Sequence, residues 1–241
     1  METQSVLTED ETLDGPYGLK IVQKRAGYRY SHDALALAEF LGTGSKMEVI
    51  DLGTGHGVIP LILVKRGLAA RVVGVELQPE LVSLARRNVA LNGFGNVVDI
   101  VELDLRDVSR SFPCRSFDYV ITNPPYREPR AGRITPTEQK AIARHEISCS
   151  MEDVMDAMKY LVKPRRRACR IYPSRRLPEL VDIAGKRGLE LKRLRFIHPR
   201  PDRGAELFMA ELLKDGKPGV EVLPPLFTSE PPRGAGGFSG L

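Results

Sequence analysis

Cysteine is scarce in this sequence: Cys114, Cys149 and Cys169 are widely spaced, odd in number and form no CxxC pair. Disulfide-built secreted domains carry dense, even sets of cysteines, and structural zinc sites carry close pairs. Neither class fits, and the thiols point to a reducing, cytoplasmic compartment and to no bound metal. Long apolar runs are also missing. The longest, near Val58 to Val64, has Pro60 inside it and falls far short of the roughly 20 residues that span a bilayer. No membrane partner is expected. The stretch METQSVLTEDETLD at the amino end is acidic and has no apolar core, so it does not read as a secretory signal. There is no internal repeat either.

What is present fits one globular domain with a modest appendage: 241 residues, of which 42% are hydrophobic. The net charge of +5 is unevenly spread. Fifteen Lys and Arg stand against four Asp and Glu between Lys159 and Gly204, a local +11 that leaves −6 for the remainder. A cationic face of this kind calls for a polyanionic partner.

Along the chain, Leu19 to Gln23 reads as one strand of a hairpin or small flap, after the breakers Asp14-Gly15-Pro16 and Gly18. Ser31 reads as the N-cap of a helix over ALALAEFLG that stops at Gly42. From Met47 strands and helices alternate. Strands are expected at Met47–Leu52, Arg71–Leu77, Val97–Leu103, Phe117–Thr122, Arg167–Tyr172, Leu189–Ile197 and Glu206–Leu213. Helices are expected through Arg66, from Pro79 to Asn92-Gly93, from a Ser150 cap to Leu161, and from Pro178 to Lys186. Such alternation gives an α/β fold with a doubly wound, mainly parallel sheet. No helix separates the last two strands, so they pair as an antiparallel hairpin through His198–Gly204. Three segments follow: 1–46, a flap and helix; 47–214, the α/β domain; 215–241, a Pro/Gly-rich flexible tail.

Two motifs carry chemistry. Asp51-Leu52-Gly53-Thr54-Gly55-His56-Gly57 joins the first long strand to its helix, where open α/β sheets bind ligands. Glycine at alternate positions lets a ligand approach bare backbone. A dinucleotide turn would place its third glycine at 58, where this chain has Val. Asp51 could face an ammonium group. Glu76, ending the next strand, is placed to accept from a ribose diol, and Asp104, after the third, from an adenine amine. The ordered set outlines S-adenosylmethionine: a cation, a ribose and an adenine.

The second motif is Asn123-Pro124-Pro125-Tyr126 after Phe117–Thr122. The prolines force an extended exit from the strand. An amide oxygen (Asn123) beside a backbone carbonyl (Pro124) suits a planar –NH2 group, and the ring of Tyr126 can stack on the heterocycle that bears it. His56 and His145 read as packing or hydrogen-bonding residues.

With DLGTGHG, VGVEL and ITNPPY in this order, the chain resembles the Rossmann-like, class I S-adenosylmethionine-dependent methyltransferases that act on exocyclic or amide nitrogens. The segments Gly27-Tyr28-Arg29-Tyr30-Ser31-His32-Asp33-Ala34-Leu35, Ala143-Arg144-His145-Glu146 and Arg195-Phe196-Ile197-His198-Pro199-Arg200 make it similar to the bacterial tRNA(Val) adenine-N6 methyltransferase family. That resemblance implies a seven-stranded, mainly parallel sheet with an antiparallel carboxyl-terminal hairpin strand, and N6-methylation of a tRNA adenosine just 3′ of the anticodon. It implies that Gly53, Gly55 and Gly57 line the methionine moiety, Glu76 the ribose, and Asp104 with Leu105 the adenine, with Asp51, Leu77 and Asn123 also among the cofactor-binding residues. Tyr30 belongs to the segment covering the cofactor, and Asn123, Pro124 and Tyr126 hold the target base. Arg200 and Arg203, in the last hairpin, are the expected tRNA contacts. Where the family has a glycine pair before its fifth strand, this chain has Pro164-Arg165-Arg166-Arg167. Alternatives are glutamine-N5 methylation of a protein, methylation of an exocyclic amine in rRNA, and a non-catalytic RNA-binding module. The sequence leaves the oligomeric state open.

Overall fold

The computed structural model describes residues 7–26, 29–30, 32–41, 47–123 and 149–228. The expected cap Ser31, the stop at Gly42, Tyr28, and Pro124, Pro125, Tyr126, Ala143, Arg144, His145 and Glu146 lie outside the described residues.

A small antiparallel hairpin, β1 (Glu11–Asp14) and β2 (Ile21–Lys24), precedes helix α1 (His32–Phe40). Then β3 (Met47–Leu52), α2 (Val58–Lys65), β4 (Ala69–Glu76), α3 (Pro79–Leu91) and β5 (Val98–Glu102) wind in parallel. A short turn at Leu105–Asp107 and α4 (Val108–Ser111) return the chain to β6 (Phe117–Thr122), which lies parallel to β3 on its other side. Next come α5 (Met151–Leu161), β7 (Val162–Pro173), α6 (Leu177–Lys186), β8 (Leu189–His198) and β9 (Leu207–Lys214). The sheet order is β8-β9-β7-β6-β3-β4-β5, and β9 runs antiparallel to both β7 and β8.

The sequence explains these elements. α2 is apolar all round, and Val58 to Leu63 are all buried, as a helix without a polar face must be. α5 begins with a capping box: the Ser150 hydroxyl accepts from Asp153 N–H while the Asp153 carboxylate accepts from Ser150 N–H. Its Met151, Val154, Met155, Met158 and Leu161 recur at helical spacing and pack on one sheet face. Helices α1, α2 and α3 and the hairpin cover the other face. Gly93, at φ 70°, ends α3 as expected.

Two expectations change. The fifth strand starts at Val162, five residues early, because α5 runs into β7 without a loop. Arg165 takes φ 59°, a left-handed geometry that residues other than glycine rarely adopt. The tail from 215 is also not flexible throughout. Two short strands, β10 (Glu221–Val222) and β11 (Leu226–Phe227), pair parallel with β8, because the outer edge of β8 offers backbone groups with no other strand to take them. Among the described residues no helix is long and apolar enough to cross a membrane.

Candidate active site

The carboxyl ends of β6, β3, β4 and β5 lie side by side, and the expected site residues follow them directly. Leu52 is in register with Thr122, and Val75 with Leu52, so Gly53, Asn123 and Glu76 emerge from adjacent strands roughly 5 Å apart. The Thr122 hydroxyl donates to Leu52 C=O at 2.7 Å and fixes the last residue before Asn123 to the last residue before the glycine turn.

The turn is a left-handed staircase. Gly53, Gly55 and Gly57 have φ of 76°, 56° and 76°, conformations that side chains with a Cβ rarely take. Three side chains hold it. Thr54 Oγ1 donates to Asp51 Oδ2 at 2.7 Å. Glu76 Oε2 accepts from Gly55 N–H and its Oε1 from Gln78 N–H, both at 2.9 Å. Asn88 Nδ2 donates to His56 C=O at 3.0 Å. Gly74, inside β4, has a role the motif did not announce: a Cβ there would come within 2.8 Å of the Thr54 methyl and 2.9 Å of its hydroxyl. The strand glycine makes room for the side chain that braces Asp51.

Asp51 is fully buried, and its Oδ1 has no hydrogen-bond partner among the described residues. Burial pushes its carboxyl up to about 7, against the pull of the Thr54 hydroxyl and with a further push from Glu76. A buried oxygen that accepts nothing suits a ligand's donor, and an ammonium group would supply both the hydrogen bond and the countercharge. Glu76 is also buried, and each of its oxygens keeps a second lone pair after serving the backbone. A ribose diol therefore still fits. Leu77 beside it is 42% exposed, an apolar surface at the mouth of the site. These residues fit S-adenosylmethionine.

Asp104 sits past β5 at the same rim, as expected, but Arg106 occupies it. Arg106 N and Nε bond Asp104 Oδ1 at 2.9 and 3.0 Å, while Nε and Nη2 bond Oδ2 at 3.1 and 2.5 Å. Three N–H groups, with Nε–H shared between the two oxygens, take most of the carboxylate's lone pairs, so an adenine amine competes there with the Arg106 guanidinium. Leu105 follows in the same turn, half-buried against the sheet's second face. Tyr30 packs on the core, and its hydroxyl reaches Asp14 of β1 at 3.3 Å. His56 is buried, which lowers its imidazole to about 4 and keeps it neutral at physiological pH, in line with a packing role.

Arg200 and Arg203 lie in the β8–β9 turn. β8 runs parallel to β6 and β3, so this turn stands on the same rim as Asn123, two strands beyond β7. They line an open depression of about 500 Å³ with Pro199, Gly204 and Glu206. The Arg165–Arg167 cluster stands at the opposite, amino-terminal edge, where Arg167 is in register with Tyr119 near the start of β6.

A family model described as the methyltransferase small domain matches residues 31–144. A tRNA1(Val) (adenine(37)-N6)-methyltransferase of Porphyromonas gingivalis is 28% identical over 197 residues, covering 79% of this chain and 76% of the relative. One of the same name from Aliivibrio salmonicida is 25% identical and covers 77% of each chain. Among solved structures, a predicted O-methyltransferase from Agrobacterium tumefaciens superposes with a TM-score of 0.64 at 22% identity, covering 86% of this chain and 91% of its own. M. jannaschii TYW2 in complex with AdoMet gives 0.60 at 19%, covering 86% and 88%. Residues 31–144 are therefore similar to the methyltransferase small domain, the chain shares the Rossmann-like fold of these solved structures, and the two sequence relatives named above are tRNA1(Val) (adenine(37)-N6)-methyltransferases.

Proposed function

We propose that this chain is an S-adenosylmethionine-dependent adenine-N6 methyltransferase of tRNA, acting on an adenosine next to the anticodon. The observation that carries this reading is the register of β3 with β6, which sets the Gly53–Gly57 turn beside Asn123. The name shared by the sequence relatives supports tRNA adenosine over a protein glutamine or an rRNA base.

In this reading Asp51 and the three turn glycines hold the methionine end of the cofactor, Glu76 the ribose with Leu77 beside it, and Asp104 and Leu105 the adenine, with Tyr30 in the covering segment. The cofactor supplies an electrophilic methyl on a sulfonium. The target amine is a poor nucleophile because its lone pair is delocalised into the ring. Asn123 Oδ1 and the Pro124 carbonyl accept its two hydrogens, favour a tetrahedral nitrogen and point the freed lone pair across the rim toward the turn. Positioning and fixed dipoles supply the rate gain. No dedicated base is needed, since the nitrogen becomes acidic once methylated. The base leaves its stack to enter, and Tyr126 replaces that stacking with about 1–3 kcal/mol. Arg200 and Arg203 grip phosphates of the anticodon arm, which orients the RNA without reading its sequence. Residues 1–46 act as flap and cofactor cover and 47–214 as the catalytic domain, working in the cytoplasm.

The test is incubation with tritiated S-adenosylmethionine and separate pools of tRNA, rRNA, DNA and protein, followed by nucleoside mass analysis. N6-methyladenosine in tRNA is the expected product. Label in protein or rRNA alone would replace this substrate with an alternative, and no transfer to any pool would make the chain a binding module.

A further inference from the structure

Helix α3 carries two asparagines one turn apart, and both face the amino-terminal hairpin. Asn88 is fully buried. Its Oδ1 accepts from Val22 N–H at 2.7 Å, and its Nδ2 donates to Val22 C=O at 3.1 Å. Asn92 does the same to Lys20: Oδ1 accepts from the N–H at 2.9 Å and Nδ2 donates to the C=O at 2.8 Å. A side-chain amide carries the same donor and acceptor as a peptide. Spaced along one helix face, the two asparagines offer alternate residues of the hairpin the pattern that a neighbouring strand would offer. Arg87 adds an ion pair at 2.9 Å to Glu11 of β1, whose side chain is buried.

The two asparagines differ in one contact. The second acceptor of Asn92 Nδ2 is Asn88 C=O, in its own helix, at 2.8 Å. That of Asn88 Nδ2 is His56 C=O, inside the glycine turn. One buried amide thus joins the hairpin, helix α3 and the turn. Glycines have no side chains to hold a loop in shape, so the turn depends on such outside bonds. Thr54 and Glu76 brace its first half, and Asn88 braces the peptide between His56 and Gly57.

We propose that Asn88 is a positioning residue of the cofactor site, fixing the second half of the turn against the amino-terminal hairpin. Losing the Asn88 contact leaves the His56–Gly57 peptide to be ordered by the cofactor itself, which weakens binding and leaves the transfer step intact. This inference rests on the S-adenosylmethionine reading above.

The experiment compares Asn88→Ala with Asn92→Ala. Both variants lose half of the asparagine grip on the hairpin, but only the first loses the turn. Calorimetry with S-adenosylmethionine should give about tenfold weaker binding for Asn88→Ala, the size of one or two lost hydrogen bonds, and an unchanged affinity within about twofold for Asn92→Ala. KM for the cofactor should rise in step for Asn88→Ala while kcat at saturation stays within about threefold. Equal weakening in both variants, or no weakening in Asn88→Ala, would overturn the proposal, as would a fall in kcat with KM unchanged. Wild-type hydrogen exchange gives an arm independent of variant folding. Cofactor should slow exchange of the Val22 amide at least about tenfold, and unaltered exchange there would equally sink the idea. Wild-type protein that binds no S-adenosylmethionine would overturn the cofactor reading too, so the two failures are distinguishable.

Discussion

The two edges of the central sheet carry similar arginine-rich stretches and use them in opposite ways. At the amino-terminal edge the cluster is spent internally. Lys163 and Arg166 converge on Asp118 at 3.2 and 3.5 Å, Arg167 pairs with the buried carboxylate of Glu211, and Arg165 donates to Asp215 C=O at 3.0 Å. At the carboxyl-terminal rim, among the described residues, the Arg200 side chain pairs only with Asp202, through an exposed pair 3.2 Å apart, and Arg203 makes no ion pair. The denser cluster is thus the less available one. Counting charges locates a cationic region, but only the partners of each guanidinium tell whether its charge is left for a ligand.

The strongest test of this division removes the chemistry from the rim. Asn123→Ala should cut methyl transfer by at least about a hundredfold, the loss expected for one preorganised polar group at a reacting centre, with cofactor affinity within a few fold. Turnover close to wild type would break the assignment of the rim as catalytic. Glu76→Ala should come next. It removes a cofactor acceptor and frees Gly55 and Gln78 N–H together, so calorimetry should show binding weaker by about ten- to a hundredfold. A smaller effect follows from the arginines. Replacing Arg200 and Arg203 by Ala should weaken tRNA binding and lower the slope of log affinity against log salt by about one to two. The matched Arg165→Ala, Arg166→Ala protein should keep that slope and lose at most about 1 kcal/mol of stability, as exposed pairs do. The reverse pattern would exchange the roles of the two edges.

The smallest effect is a pH signature at the rim. The Asp51 carboxyl is raised from 3.8 to about 7 in the folded protein, so the folded state holds a proton that the unfolded chain releases. The stability tied to this group is fully present below about 3.8 and is lost as pH rises to about 7. Thermal melts of the cofactor-free protein should show that decline, and Asp51→Asn should flatten it. Calorimetry at pH 7 in buffers of different ionisation enthalpy should detect release of a fraction of a proton when the cationic cofactor binds.

Much of this could be read from local pattern. Met47–Leu52 and Phe117–Thr122 form the strands expected from their apolar runs, because Gly53 and Pro124 punctuate both so strongly. The Ser150 cap was legible from the acids that follow it. Contacts between residues distant in sequence were not. Nothing local to Gly74 announces Thr54 against it, nothing local to Asn88 announces its bond to the turn, and Asn92 reads only as part of a helix stop. The last two strands were legible as a hairpin, but not that β9 enters between β7 and β8, since pairing partners leave no local trace. The Asp104 carboxylate stands where its motif put it, yet Arg106 two residues on holds it, which a search for acids at strand ends does not weigh.

The entry of β9 between two earlier strands also sets an order of assembly. β8 is made before β9 but touches β7 only through it, so the sheet cannot be extended one strand at a time as the chain emerges from the ribosome. Until Leu207–Lys214 has been synthesised, the backbone of β7 remains an open edge, the kind that invites pairing with another chain. The β8–β9 hairpin can close locally and then dock whole on β7, leaving only the short β10 and β11 to follow. A nascent chain stalled between residues 173 and 207 would therefore leave that edge open to pairing with other chains.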